Sequence, residues 1–504
     1  MNRSPKRGNI LLVFAVLAVM GLVCGCGGGN KGTSAGGPAN FDEPPYEINF
    51  LYLVASEGAN QGKVQEAVNA LALKELNMKV KLIPMTFGAF FSQVPMMLAA
   101  NEPLDLFPAM SYNFSTFIDA QYVVNMADYL DYAQDAIRIL GDDAFTGYIG
   151  DFLIGFGQMK ERAFPAGLVV RRDIFEELGY KVEDFSVTTD DYNSFNQITA
   201  LFAKVKQKYP SMSCIDGTSI MGMQEMSYMD NLGSNFGVLE NYGQTTTITN
   251  WYESEQYKRF CLIAREWFQK GYSSGDIAVN RDSGEIKMRA GNSFSFIANV
   301  KPNTDIEKLA QTSYETLVIP LGKVMKTTNA VNAGLYVIAN ASKNPAKAMQ
   351  FLNWTFISGE FTDLINWGIK GEDWVETPDG MAAYPEGINA QNVGYHNDFG
   401  WIYPNQFVGH PWVGNPPDIW DQYRKYNAGL LVSKAFGFTF DSTPVANEEA
   451  QLYSVQEEYR YDLSFGAVEI ENRLREFNKA LYDAGLQRVM DEKQRQLNEW
   501  LAKK

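Results

Sequence analysis

Few residues in this sequence have the types and spacing that catalysis requires. Only two histidines, His396 and His410, and four cysteines occur among 504 residues. The chain body has no GxxxxGK(S/T), GxSxG, HExxH or CxxC motif, so ATPase, common hydrolase and zinc interpretations lose support. A glycosidase needs two carboxylates about 5–10 Å apart, and no motif indicates such a pair among the 59 acidic residues. We therefore expect no enzymatic activity, no metal and no cofactor.

Aromatic residues are abundant, at 13% of the chain, and they suit a binding chemistry. In a core they only pack, but on the wall of a groove their flat faces stack on apolar ligand faces, such as those of sugar rings. Trp367 ends a helical pattern just before Gly368, and Trp401 and Trp412 lie in an aromatic segment broken by prolines. We expect these three tryptophans to stack on the ligand, with burial in the core as the alternative.

Polar residues follow predicted strands at positions suited to bind hydroxyl groups. The apolar runs Ile48–Val54, Val80–Pro84 and Leu104–Phe107 alternate with helical patterns, as in the βαβ units of a parallel sheet. Ligands of open α/β sheets lie beyond the carboxyl ends of the strands. The residues that follow such runs here, including a later one that ends at Ala298, are Glu57, Tyr112, Asn113 and Asn299. We expect these side chains to bind ligand hydroxyls.

The later part of the chain predicts helices. Asn344 is a suitable N-cap for a helix whose first residue is Pro345. Apolar spacing near the end predicts three more, at 445–459, 468–484 and 486–501. Thr316–Pro320 has the apolar pattern of a further strand.

The first 26 residues have the pattern of a secretory leader. Arg3, Lys6 and Arg7 precede an apolar run, Ile10–Val23, that is short for a spanning helix of roughly 20 residues. Cys26 then matches a lipidated cysteine, and a Gly-rich stretch follows that is typical of a flexible tether. We expect a lipid anchor at Cys26 and a body outside the cytoplasmic membrane. An uncleaved membrane anchor is the alternative.

Segments spread along the chain match one family in order and composition: LIPMTFGAF (82–90), LDLFPAMSYN (104–113), GLVVRRDIFEELGY (167–180), SKNPAKAMQFLNW (342–354) and LINWGIKG (364–371). They resemble the bacterial extracellular solute-binding proteins, the carbohydrate-binding lipoproteins of ABC importers. The later pattern of Asn405–Phe407, Pro411–Gly414 and Trp420 resembles one lipoprotein branch that also ends in a helical segment of unassigned function. The resemblance covers nearly all of residues 46–504.

The resemblance implies an α/β fold with two lobes, like that of periplasmic binding proteins, with hinge crossovers and a C-terminal helical segment. The expected organisation is a signal peptide at 1–25, a tether at 26–45, lobe 1 at 46–160, lobe 2 at 161–315, a lobe 1 return at 316–333, lobe 2 continued at 334–435, and the helical segment at 436–504.

The implied function is capture of a carbohydrate, an oligosaccharide above all, for import through the membrane permease subunits of an ABC transporter. A net charge of −16 disfavours nucleic acid and anionic lipid as partners. We expect a monomer held at the outer face of the membrane by its lipid. The alternatives are a binding protein for a peptide or another polar solute, a surface glycoside hydrolase, and a surface adhesin. Cys214 and Cys261 are either free thiols or a disulfide, since an exported chain permits both.

Overall fold

The computed structural model describes residues 39–111, 114–217 and 228–504. The strands in chain order are β1, Tyr46–Val54; β2, Met78–Thr86; β3, Leu106–Met110; β4, Tyr148–Ile149; β5, Phe152–Leu153; β6, Phe156–Gly157; β7, Ala166–Arg171; β8, Ser213–Ile215; β9, Ser293–Asn299; β10, Thr316–Pro320; β11, Met325–Lys326; β12, Gly334–Ile338; β13, Val375–Glu376; β14, Ala382–Ala383; and β15, Leu431–Val432.

The helices that accompany these strands are Gln61–Leu76, Phe87–Ala99, Phe114–Asp119, Gln134–Leu140, Arg172–Glu177, Asn196–Lys208, Glu255–Gln269, Gly284–Arg289, Thr304–Thr312, Pro345–Thr355, Gly359–Trp367, Ile419–Ala428, Ala446–Ser464, Ile470–Asp483 and Leu486–Lys503, with short turns at Glu240–Gly243 and Thr328–Val331. The Asn344 side chain accepts a hydrogen bond from the backbone N–H of Lys347 at 3.2 Å, so the predicted N-cap is confirmed.

The first lobe is built on a five-stranded sheet in the order β2-β1-β3-β12-β6. β1 is parallel to β2 over its whole length and also parallel to β3, as its βαβ pattern predicts. β12 then inserts antiparallel to both β3 and β6. The family resemblance implies lobe 2 for residues 334–435. The structure differs for β12, the helix Pro345–Thr355 and Tyr395–Tyr403, because side chains of these segments complete the core of the first sheet.

The second lobe is built on a four-stranded sheet in the order β10-β7-β9-β8. β10 lies antiparallel to β7, from Thr316 opposite Arg171 to Pro320 opposite Gly167. The expectation of a lobe 1 return at 316–333 is therefore wrong for this strand. The composition of a short apolar strand does not indicate which strand it pairs with. Here β10 pairs with β7 at the edge of the second sheet.

The last three helices pack against the core of the second lobe. Phe477 and Leu481 are fully buried there, and the Phe477 ring lies 4.7 Å from that of Tyr252. Lys493, also fully buried, donates from Nζ to the carbonyl oxygens of Ser234 at 2.9 Å and Gly237 at 3.0 Å. The C-terminal segment is thus part of the second lobe's packing.

A network of buried charges surrounds the first crossing between the sheets, at residues 158–165. Arg162 Nε lies 2.8 Å from Asp143 Oδ2, and Lys326, on the return crossing, pairs with the other oxygen of that carboxylate. Asn427 accepts from the Arg162 N–H at 2.8 Å and donates to the Lys160 carbonyl at 2.8 Å. Because Arg162 and Lys326 belong to separate crossings and pair with the same carboxylate, Asp143 joins the two crossings.

Cys214 and Cys261 are free thiols and both are buried, which decides between the two alternatives for them. Burial raises the pKa of Cys214 to about 12 and raises that of Cys261 as well. Among residues 39–111, 114–217 and 228–504, no helix has the length and apolar character to cross a bilayer. Cys26 lies outside the described residues, so its lipidation stays a prediction.

Candidate functional site

One edge of the first sheet collects the loops expected to meet a ligand. The carboxyl ends of β1, β2, β3 and β6 share this edge with the start of β12, which runs the other way. Ala55, Phe87, Ser111 and Gln158 are the first residues beyond those four strands. Ligands of open α/β sheets lie at such an edge.

The loop at residues 395–405 is fixed against this edge by buried hydrogen bonds. Asn397 accepts from the Ala55 N–H at 3.0 Å and donates to the Tyr403 hydroxyl at 2.7 Å. That hydroxyl donates in turn to the Leu53 carbonyl at 2.9 Å. Tyr395, Asn397, Ile402 and Tyr403 are buried, so the loop presents Asp398, Phe399 and Trp401 toward the surface.

The loop that carries Glu57 is joined to the same structure. The Asn60 N–H donates to the Gly394 carbonyl at 2.9 Å. At Gly58 the two backbone segments approach so closely that an added Cβ atom would lie 2.3 Å from the Gly394 carbonyl oxygen. Glycine is therefore required at Gly58, and Glu57 is held, exposed, beside the 395–405 loop.

Four rings form what we call the aromatic wall: Phe87, Phe91, Phe399 and Trp401. Phe87 stacks on Trp401, with centroids 6.1 Å apart and planes 23° apart, and it lies 5.6 Å from Phe91. Phe399 meets Trp401 edge to face at 6.0 Å. Phe91 is 47% exposed, and Phe87, Phe399 and Trp401 are half-buried. The wall offers aromatic surface to a ligand at the strand ends.

Lys160 lies beside this wall, at the start of the crossing. Its Nζ is 5.4 Å from the Trp401 ring and 5.3 Å from the Phe164 ring. The residue is only 3% exposed, and the ammonium makes no hydrogen bond or ion pair with the described residues. Burial lowers the pKa of Lys160 to about 8, partly offset by Glu161. A buried ammonium without a hydrogen-bond acceptor is unfavourable. The site therefore favours a ligand that places an oxygen atom near Lys160 Nζ.

Asp398 projects from the same loop toward charges of the second lobe. Its side chain is open to solvent, but protein surrounds it closely enough that desolvation raises its pKa to about 6, against the lowering effect of Lys301. Lys301 lies 3.5 Å from both Glu161 and Glu307. Since Asp398 belongs to the first lobe and Lys301 follows β9 of the second, the charges of both lobes meet here.

A second group, the tryptophan cluster, consists of Trp367, Tyr384, His396 and Trp412. Trp367 is 5% exposed, and its indole N–H donates to the His410 carbonyl at 3.0 Å. Trp412 is half-buried and contacts Trp367 at 4.9 Å and His396 at 4.4 Å. Burial lowers the pKa of His396 to about 4, so this ring is neutral at pH 7. Trp367 is thus buried in the core, which was the alternative to ligand stacking, and it supports Trp412 from there.

The structure brings some of the expected ligand-binding residues together and not others. Trp401 lies in the aromatic wall, Glu57 beside the same loop, and Asn299 is exposed at the hinge end of β9. Trp367 and Trp412 lie in the tryptophan cluster instead. Tyr112 and Asn113 lie outside the described residues.

Sequence reasoning did not select Lys160, Asp398, Phe399 or Lys301. The signal available for Asp398 was a single charge inside the aromatic stretch YHNDFGW, and for Lys160 a group of three adjacent charges between apolar and aromatic residues in FGQMKERAF. Nothing in the described part of the chain groups three or more histidine, cysteine or acidic side chains as metal ligands. The arrangement suits recognition of a flat, hydroxyl-bearing and uncharged ligand.

Comparison with known families gives two matches. A model described as bacterial extracellular solute-binding protein matches residues 66–367, and one described as a domain of unknown function matches residues 434–502. A carbohydrate ABC transporter substrate-binding protein of Streptococcus pneumoniae serotype 4 (strain ATCC BAA-334 / TIGR4) is 22% identical over 508 residues, covering 97% of this chain and 98% of the relative.

Comparison with solved structures gives the fold. An N-glycan transport solute binding protein from Streptococcus pneumoniae superposes with a TM-score of 0.76 at 16% identity, covering 91% of this chain and 99% of the other. Its complex with Man1GlcNAc gives a TM-score of 0.69 at 17% identity, covering 90% and 99%. An alginate-binding protein without calcium ion gives 0.59 at 14% identity, covering 90% and 98%. The likeness confirms the predicted two-lobe α/β fold.

Proposed function

The chain belongs to the family of bacterial extracellular solute-binding proteins, and we propose that it captures a neutral oligosaccharide between its lobes for an ABC importer. The observation that carries this proposal is the aromatic wall with Lys160 and Asp398 beside it. Sugar rings offer apolar C–H faces to stacked aromatics and hydroxyls to charged partners. The relative named as a carbohydrate transporter component and the structure solved with Man1GlcNAc support the carbohydrate class.

Each part of the site has a role in this proposal. Trp401 and Phe87 stack on a ring, Lys160 donates to hydroxyl oxygens, and Asp398 accepts from hydroxyls. Glu57 binds from the first lobe and Asn299 from the second. Trp412 extends the aromatic surface, supported by Trp367. Tyr112 and Asn113, which follow β3 in the sequence, bind further ligand hydroxyls.

Delivery completes the proposal. Ligand bound between the lobes favours a closed form, and that form docks on the permease subunits of the importer. Lipidation at Cys26 holds the monomeric protein at the outer face of the cytoplasmic membrane. It performs no chemistry on its ligand.

The test is calorimetric titration of the purified protein with a panel of neutral oligosaccharides. We expect at least one oligosaccharide to bind. Trp401→Ala should weaken the affinity for that oligosaccharide by roughly tenfold or more, as the loss of an aromatic anchor does at other binding sites. Tyr132→Ala is a matched control, because Tyr132 is an exposed aromatic residue. Tyr132 follows Val124–Met126 in the chain. The Val124 N–H donates to the carbonyl of Ile338, which lies at the end of the first sheet opposite the candidate site.

Two outcomes would contradict the proposal. Binding of peptides and of no sugar would replace the oligosaccharide with the peptide alternative. Release of shortened sugars during the titration, followed by chromatography, would show a hydrolase.

A further inference from the structure

A cavity lies where the C-terminal segment meets both lobes. Its volume is 210 Å³, below the ~300–1,000 Å³ typical of sites for whole drug-sized ligands. The first lobe contributes Ser111, Ser115 and Thr116, the second lobe contributes Leu232, and the C-terminal segment contributes Ser442 and Tyr453. It has room for one unit of a longer ligand.

The cavity shares an edge with the candidate site. Ser111 is the first residue beyond β3, and Phe87 is the first beyond β2, two strands away. Strands are about 4.8 Å apart, so roughly 10 Å of sheet edge separates the two positions. A single sugar ring does not reach from one to the other, whereas an oligomer does.

The lining has the chemistry of a sugar site. The hydroxyls of Ser111, Ser115, Thr116 and Ser442 make no hydrogen bond to other described residues, and all four are at least partly exposed. Tyr453 is 46% exposed and meets Phe236 edge to face at 4.9 Å. Unused hydroxyl groups around a partly exposed aromatic ring suit a ligand that carries hydroxyls of its own.

The floor and walls of the cavity are held by direct bonds between its parts. Asn332 donates to the Thr146 carbonyl at 2.7 Å, and Gly437 N–H donates to the Thr328 hydroxyl at 2.8 Å. Thr443 of the C-terminal segment donates to Asp119 of the first lobe at 3.1 Å. The cavity therefore exists because the C-terminal segment touches the first lobe as well as the second.

We propose that this cavity is a distal subsite, formed with the C-terminal segment, for one unit of an extended uncharged oligosaccharide whose other end lies at the aromatic wall. This inference rests on the proposed function. It gives a role to residues 434–502, whose family is described only as a domain of unknown function.

The test is a calorimetric length series of whichever oligosaccharide binds, from disaccharide upward. For the wild-type protein we expect affinity to rise with length until the chain fills the cavity. Thr116→Trp fills the cavity from an exposed position, and Tyr453→Ala removes the tyrosine ring that lines the cavity. Both should weaken the longest ligands roughly fivefold or more and leave the short ligands unchanged. Thr116→Ser keeps the hydroxyl and should match the wild type.

The outcomes separate the inference from the function it rests on. If oligosaccharides bind but both variants follow the wild-type length series, or lose affinity equally at every length, the distal subsite is refuted and capture at the aromatic wall stands. If no oligosaccharide binds the wild-type protein, the proposed function fails and the subsite with it. Thermal unfolding of each variant checks that it is folded.

Discussion

Ligand affinity should pass through a maximum near pH 7, because two groups of opposite charge sit beside the aromatic wall with displaced pKa values. Asp398 has its pKa raised to about 6 and Lys160 has its pKa lowered to about 8. A neutral sugar bound by a carboxylate acceptor and an ammonium donor requires both in their charged forms. Acid removes the first charge and alkali removes the second.

The size of each limb follows from the two pKa values. If ligand binds only the charged form, affinity at pH 5 falls by about tenfold relative to pH 7, since about one-tenth of Asp398 remains ionised one unit below its pKa. By the same arithmetic, affinity at pH 9 falls by about tenfold through Lys160. His396, with its pKa lowered to about 4, stays largely neutral across this range.

The assay is calorimetric titration with one neutral oligosaccharide at half-unit steps from pH 5 to pH 9. Asp398→Asn should flatten the acid limb alone, and Lys160→Met the alkaline limb alone. Unfolding temperatures recorded at each pH keep loss of structure separate from loss of binding. A wild-type profile that is flat from pH 5 to pH 9, or an acid limb that persists in Asp398→Asn, would refute the assignment of these two side chains to the ligand.

Three further predictions concern other parts of the molecule. Lys493→Met should lower the free energy of unfolding by about 2 kcal/mol or more in urea titrations, because it leaves buried carbonyls unsatisfied; Lys503→Met, at the exposed chain end, should not. Because the pKa of Lys493 is lowered to about 8, the unfolded chain binds more protons between pH 8 and 10.5. Wild-type stability should therefore gain a contribution as pH rises through that window, and Lys493→Met should lose it. Cys214 and Cys261 should resist alkylation in the native state and react after unfolding, as peptide mass spectrometry would show; rapid native labelling would contradict their burial.

Local patterns gave the elements of this fold more reliably than their partners. The apolar runs predicted β1 and β2, and Asn344 with Pro345 predicted the start of a helix, because these signals lie within a few residues. The lobe assignment of β10 and β12 was wrong because it depends on pairing with strands far away in the chain. Apolar composition is the same whichever sheet accepts the strand.

The residues of the candidate site also divide into those that local sequence patterns indicate and those that depend on distant parts of the chain. Trp401 and Asn299 could be proposed from an aromatic segment and a strand end. Lys160 could not, because its burial depends on Trp401, which the chain brings back across the hinge much later. Asp398 lacked any signal of its displaced pKa, since that follows from protein packed around it in space. The role of Trp367 as a buried support became clear only from its contacts.

The central claim, capture of an oligosaccharide at the aromatic wall, is tested most directly by a crystal structure of the protein with the best-binding oligosaccharide. We predict a sugar ring against Trp401, with a hydroxyl oxygen within about 3 Å of Lys160 Nζ. A sugar bound at another place, with Trp401 and Lys160 untouched, would contradict the account.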